Sequence, residues 1–119
     1  MIIEPLHDSL AAEVSGIDLS QPLDASDQAA LYDAWLDHLV LIFRNQDLTE
    51  PQQVEFSRYF GTPRWQDKPR TDDLPDQRPE VMLVGNCEGG ALGDGPVPFH
   101  SDSSFKKQPL KATALYALE

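Results

Sequence analysis

The sequence contains a single cysteine, Cys87, which excludes an internal disulfide and any zinc site built on several cysteines. A lone thiol fits a reducing compartment. No neighbouring spacing makes it a nucleophile, and a small, partly buried thiol is the simpler reading. Basic residues are scarce as well: nine Lys and Arg stand against twenty Asp and Glu, a net charge of −11. Such a surface repels phosphate backbones and anionic lipid, so neither nucleic acid nor a membrane surface is an expected partner. The acid clusters at Asp24–Asp27 and Asp72–Asp76 read as solvated surface. No apolar run approaches the ~20 residues needed to span a bilayer. The opening Met1-Ile2-Ile3-Glu4-Pro5 has neither the basic nor the apolar region of a secretory leader. The expected location is the cytoplasm. Internal repeats are absent too.

What is present suits one globular domain with a modest core: 119 residues, 40% hydrophobic and 24% charged. Ile2-Ile3 and Ala12–Leu19 read as short strands, broken at Gln21-Pro22. Ala30, Leu31, Ala34, Trp35 and Leu39 recur at helical spacing, which predicts a helix from Ser26 to His38 with Ser26 as its N-cap. Leu39–Phe43 is a continuous apolar run and predicts a strand buried on both faces. Thr49-Glu50-Pro51-Gln52 is a capping box with proline in the first turn, opening a helix that Gly61 should stop.

Residues 62–79 are polar and rich in proline and aspartate, and predict a long loop. Val81–Val84 reads as a strand, with Asn86 capping the turn after it. The glycines between Gly85 and Gly95 lack the strand-turn-helix context of a phosphate loop. Pro98–Asp102 and Lys111–Leu118 look extended. Short strands with two helices imply an α+β class and not a βαβ array.

One arrangement carries chemistry: Phe99-His100-Ser101-Asp102. On a strand, residues two apart share a face, so an imidazole and a carboxylate would project together. With a third ligand they would form the two-histidine, one-carboxylate triad of non-haem iron(II) oxygenases. Alone, His-x-Asp is a weak signal, and a surface histidine beside an acid is the plainer reading. His38 falls at a predicted helix end, where a cation complements the dipole. His7 has no assigned role.

The surrounding motifs change the balance. Ala12-Glu-Val-Ser-Gly-Ile-Asp-Leu19, Leu41-Ile-Phe-Arg-Asn-Gln46, Leu48-Thr-Glu-Pro-Gln-Gln53, Phe56-Ser-Arg-Tyr-Phe-Gly61 and His100-Ser-Asp-Ser-Ser-Phe105 occur in that order. Their order and spacing resemble the amino-terminal half of the taurine dioxygenase (TauD/TfdA) family. The resemblance implies a partial double-stranded β-helix (jelly roll) with two accessory N-terminal helices. It implies Fe(II), with 2-oxoglutarate as co-substrate and O2, hydroxylating an unactivated C–H bond while 2-oxoglutarate is converted to succinate and CO2. His100 and Asp102 would be iron ligands, Ser103 and Phe105 substrate contacts, and no residue of this chain an acid–base catalyst. For Ser103 and Phe105 ordinary packing is the competing reading.

The sequence also departs from the family. The loop after Gly61 reads Thr62-Pro-Arg-Trp-Gln-Asp67 without histidine, and Gly95-Pro-Val-Pro-Phe99 lacks asparagine, so taurine is a poor guess for the substrate. Arg64, Lys68 and Arg70 allow for a small anionic substrate, although solvated charge is the safer reading. The resemblance places the Gly-Asp-Thr segment, the distal histidine and the 2-oxoglutarate arginine beyond Glu119. Residues 1–119 are therefore expected to be the N-terminal portion of one dioxygenase domain. The alternative is a catalytically inactive binding or assembly module. An incomplete jelly roll exposes a strand edge, so a homo-oligomer stays open.

Overall fold

The computed structural model describes residues 1–64, 78–85 and 98–118. Strand β1 (Ile2–Pro5) and strand β2 (Ala12–Ser15) pair antiparallel, with Ile3 opposite Val14. The turn between them is closed by the Leu6 N–H donating to the Ala11 carbonyl at 2.9 Å. Helix α1 (Ala25–His38) then crosses over to strand β3 (Leu41–Phe43), which runs parallel to β2 with Val14 opposite Phe43. The sheet order is β1-β2-β3, and helix α2 (Glu50–Ser57) follows. A small mixed sheet with two helices is the α+β class expected. It nevertheless includes one local β-α-β crossover, because the parallel pairing of β2 and β3 requires a long connection and α1 supplies it.

Both helices begin where the chain offers an oxygen to an unpaired amide. Asp24, not Ser26, caps α1: its Oδ1 accepts the Asp27 N–H at 2.8 Å and the Ser26 hydroxyl at 2.7 Å. The carboxylate two residues earlier reaches the open amides first, and the serine becomes a helical residue bonded to it. On α2 the capping box forms as the motif predicts, with the Thr49 N–H donating to Gln52 Oε1 at 2.8 Å and the Gln52 N–H returning to Thr49 Oγ1. The helix closes at Ser57. A tighter turn carries the chain on to Phe60 through Tyr59 N–H to Phe56 and Phe60 N–H to Ser57 carbonyl bonds.

The run Leu39–Phe43 is not a strand buried on both faces. Leu39 is the left-handed C-cap of α1 (φ 66°), its N–H donating to the Trp35 carbonyl, and its side chain is 64% exposed. Only Leu41–Phe43 pair, on one edge, and they are half-buried. Val81–Val84 is not a strand either; the Val81 N–H closes a turn on the Arg78 carbonyl. Residues 98–102 and 111–118 likewise form no ladder. Apolar alternation marks a strand only where a neighbour accepts its hydrogen bonds, and among the described residues none does here. Cys87, Asn86 and the glycine-rich run between Gly89 and Gly95 lie outside the described residues, as do Lys68 and Arg70.

Among the described residues the buried core is small: Ala12, Val14, Leu19, Leu31, Ala34 and Val54. An aromatic layer extends it. Phe56 stands edge-on to Phe43 and to Phe60 at centroid separations of 5.3 and 5.5 Å, and Phe60 meets Trp35 at 5.8 Å. These rings tie β3, α1 and the end of α2 together. Against this layer lies the segment 110–118. Lys111 Nζ donates to the Tyr32 hydroxyl at 2.7 Å and to the Phe60 carbonyl at 3.0 Å, and lies over the Tyr32 and Trp35 rings. Further along, the Tyr116 hydroxyl accepts the Leu48 N–H at 3.1 Å and donates to the Gln46 carbonyl.

Candidate metal centre

Of the residues singled out for chemistry, His100 and Asp102 converge, on a segment that pairs with no strand and leads into a turn. Residues 102–105 form a turn in which Ser103 adopts a left-handed backbone (φ 53°), and the Lys106 N–H closes it on the Ser103 carbonyl at 3.0 Å. The segment Pro98–Asp102, read as extended, joins no ladder, yet His100 Nε2 stands 3.0 Å from Asp102 Oδ1.

The other ring nitrogen fixes the proton. His100 Nδ1 lies 2.8 Å from the Pro98 carbonyl oxygen. A carbonyl can only accept, so Nδ1 carries the hydrogen. In the neutral ring Nε2 is then a bare lone pair, facing a carboxylate oxygen at 3.0 Å. Two acceptors at that distance need a cation between them, either a proton on Nε2 or a metal ion. The Pro98 carbonyl and, after it, the Asp102 carboxylate raise the His100 pKa above its ordinary 6.5, since both favour the imidazolium. Both side chains are about half exposed, so water screens the pair.

The same arrangement fits a divalent ion. Histidine ligands usually donate their second ring N–H to a carbonyl or carboxylate, which fixes the tautomer, and the Pro98 carbonyl does this here. Adjacent donors on an octahedral ion with bonds of about 2.1 Å stand about 3.0 Å apart, the separation found between Nε2 and Oδ1. The donor set, one imidazole and one carboxylate, is the mixed nitrogen–oxygen kind that suits Fe(II). Among the described residues no group of three or more metal-binding side chains occurs. His7 and His38 do not join the pair: His7 Nδ1 accepts the Ser9 N–H, and His38 sits in the last turn of α1.

His100, Ser101 and Asp102 form one wall of an open depression of about 440 Å³, and Leu110 to Thr113 form the other. Thr113 and Lys111 were missed in the sequence. Thr113 Oγ1 donates to Asp102 Oδ2 at 2.9 Å, leaving both carboxylate oxygens engaged. Only the alternation Lys-x-Thr on an extended segment could have drawn attention to them, and that is no signal by itself. Ser103 is half-buried beside the depression without lining it, and Phe105 stands 86% exposed with Lys106 Nζ over its ring. Leu110 to Thr113 also border a larger groove of about 750 Å³ walled by Phe43, Val54, Phe56 and Phe60, with Arg64 on its rim.

The family described as "Taurine catabolism dioxygenase TauD, TfdA family" matches residues 2–119. Among curated relatives, the (S)-phenoxypropionate/alpha-ketoglutarate-dioxygenase of Sphingobium herbicidovorans is 30% identical, aligned over 97% of this chain and 39% of its own. The alkylsulfatase of Acinetobacter baylyi is 42% identical over 51% of this chain and 20% of its own. A taurine dioxygenase structure from Burkholderia xenovorans superposes with a TM-score of 0.49 at 42% identity, covering 50% of this chain and 21% of that one. The chain thus spans well under half the length of the curated relatives it matches.

Proposed function

This chain belongs to the TauD/TfdA family, and we propose that it supplies the first two iron ligands, His100 and Asp102, of an Fe(II)- and 2-oxoglutarate-dependent dioxygenase. The observation that carries the reading is the placement of the His100 ring, with Nδ1 2.8 Å from the Pro98 carbonyl and Nε2 3.0 Å from Asp102 Oδ1. On this reading residues 1–119 build the amino-terminal portion of a jelly-roll domain working in the cytoplasm. When bound, the iron would activate O2 and couple decarboxylation of 2-oxoglutarate to hydroxylation of a substrate C–H bond.

The chain's own part is to bind and to orient. His100 offers Nε2 only as neutral imidazole, and Asp102 offers Oδ1 only as carboxylate, so protons compete with the metal. The apolar groove beside the pair would hold a carbon skeleton away from bulk water. Arg64 on its rim would meet a negative charge. A phenoxypropionate is a carboxylate, and the relative named alkylsulfatase points to a sulfate ester; both support a small anionic substrate. Ser103, following Asp102 directly, and the exposed Phe105 are the proposed substrate contacts.

Anaerobic titration of the chain with Fe(II) tests the ligand pair. Weak binding is expected, abolished in both His100→Ala and Asp102→Asn. Binding that survives both substitutions removes the reading.

A further inference from the structure

The two oxygens of Asp102 have different neighbours. Oδ1 faces His100 Nε2 at 3.0 Å, whereas Oδ2 accepts the Thr113 hydroxyl at 2.9 Å. A carboxylate without such a partner can turn both oxygens toward one ion and occupy two adjacent positions on it. Here the second oxygen is already held. We propose that Thr113 is a positioning residue that makes Asp102 a one-oxygen ligand, with Oδ1 turned to the metal and the neighbouring coordination position left for co-substrate or water. The inference rests on the iron-ligand reading of His100 and Asp102 given above.

The placement of Thr113 makes this more than a chance surface contact. The hydroxyl comes from a segment fixed on both sides. Two residues before it, Lys111 is anchored on the Tyr32 hydroxyl and the Phe60 carbonyl. Three residues after it, Tyr116 is bonded to the Leu48 N–H and the Gln46 carbonyl. The turn carrying Asp102 is exposed, and its first residue after the ligand, Ser103, is in a left-handed conformation. Thr113 therefore transfers the rigidity of the helical layer to a carboxylate on a loop, which is how outer partners tune metal ligands.

Mn(II) serves as the probe, read by NMR at one fixed pH through paramagnetic broadening of the His100 ring protons. His7 and His38, the other two histidines, act as internal controls. Thr113→Val removes the hydroxyl at nearly constant shape, and about 10- to 100-fold more Mn(II) is expected for the same broadening. Thr113→Ser should restore it. Exchange of the Leu48 amide, bonded to Tyr116, should be unchanged in all variants, separating a local effect from undocking of the segment. If Thr113→Val broadens like the unaltered chain while Asp102→Asn does not broaden, the role of Thr113 is overturned and the ligand pair stands. A serine variant that fails to restore binding also overturns it. Broadening that persists in Asp102→Asn, or none in the unaltered chain, overturns the ligand pair and this inference with it.

Discussion

Lys111 and Tyr32 lie 79 residues apart in sequence, yet the ammonium donates to the phenol at 2.7 Å and sits 4.6 Å from the centre of its ring. A cation on an aromatic face adds about 0.5–1 kcal/mol at exposed sites, and a hydrogen bond about 1 kcal/mol. Lys111→Met keeps much of the apolar stem and loses both. Its expected cost is about 1–2 kcal/mol in urea denaturation. Tyr32→Phe, which keeps the ring and removes the hydroxyl, should cost about half as much. Equal stability of all three chains would show that Lys111 is not an anchor.

Thr49 offers the most local test. Its hydroxyl accepts the Gln52 N–H, and the Gln52 side chain accepts the Thr49 N–H, across the first turn of α2. Thr49→Ala should lower stability by about 1 kcal/mol, and Thr49→Ser by much less. Thermal unfolding followed by circular dichroism measures both.

Phe56 touches Phe43, Tyr59 and Phe60. Because it is only half-buried, Phe56→Ala should fall below the range for fully buried aromatics, at about 2 kcal/mol. The same change should loosen the Phe60 carbonyl that receives Lys111, so Phe56→Ala and Lys111→Met should be less than additive in a double-mutant cycle. Strict additivity would argue against the link.

The Asp24 cap sets a pH dependence. The Asp27 amide, and after it the Ser26 hydroxyl, hold the Asp24 carboxyl below its ordinary value of 3.8. Its folded pKa is depressed, so its stabilisation is present above the unfolded value and is lost as pH falls through the folded one. The loss belongs to the acid range below about pH 4. Asp24→Asn keeps a capping oxygen without the charge, and its stability should fall less steeply over that range. Parallel acid titrations of the two chains would remove the assignment.

Metal binding should respond to pH in the opposite region. His100 has a raised pKa, so a proton on Nε2 competes with the ion more strongly than it would in a free imidazole. Apparent Mn(II) affinity should fall as pH is lowered from 8 toward 6, on the order of tenfold per unit once the imidazolium predominates. The paramagnetic broadening described above reads it directly. An affinity independent of pH in that interval would exclude His100 as a ligand.

How much of this was legible in the sequence depended on the distance over which each feature is determined. The α2 cap lies within four residues and was read correctly. The α1 cap was displaced by two residues because Asp24 and Ser26 are both good cap types, and only the backbone at Asp24 (φ −71°, ψ 166°) decides between them. The strand proposed at 81–84 failed because an apolar pattern says nothing about whether a pairing partner exists. His100 and Asp102 were singled out by their spacing together with the flanking motifs, neither of which could show the Pro98 carbonyl behind the His100 ring. Thr113, Lys111 and Tyr116 were not found, because each acts on residues 11 to 79 positions away.

The three tethers of the segment 110–118 have a consequence for the order of folding. The β1–β2 pair and both helices close over short stretches, while Lys111 and Tyr116 must find partners 79 and 68 residues back along the chain. Closure over such separations is slow relative to local structure. The ligand carboxylate should therefore gain its second partner only after the helical layer has formed. In pulse-labelled hydrogen exchange, the Leu48 amide should gain protection later than the amides of α1. Simultaneous protection would show that segment and helices condense together. If the order holds, the metal pair acquires its final shape at the last step, when the segment docks on a finished helical layer.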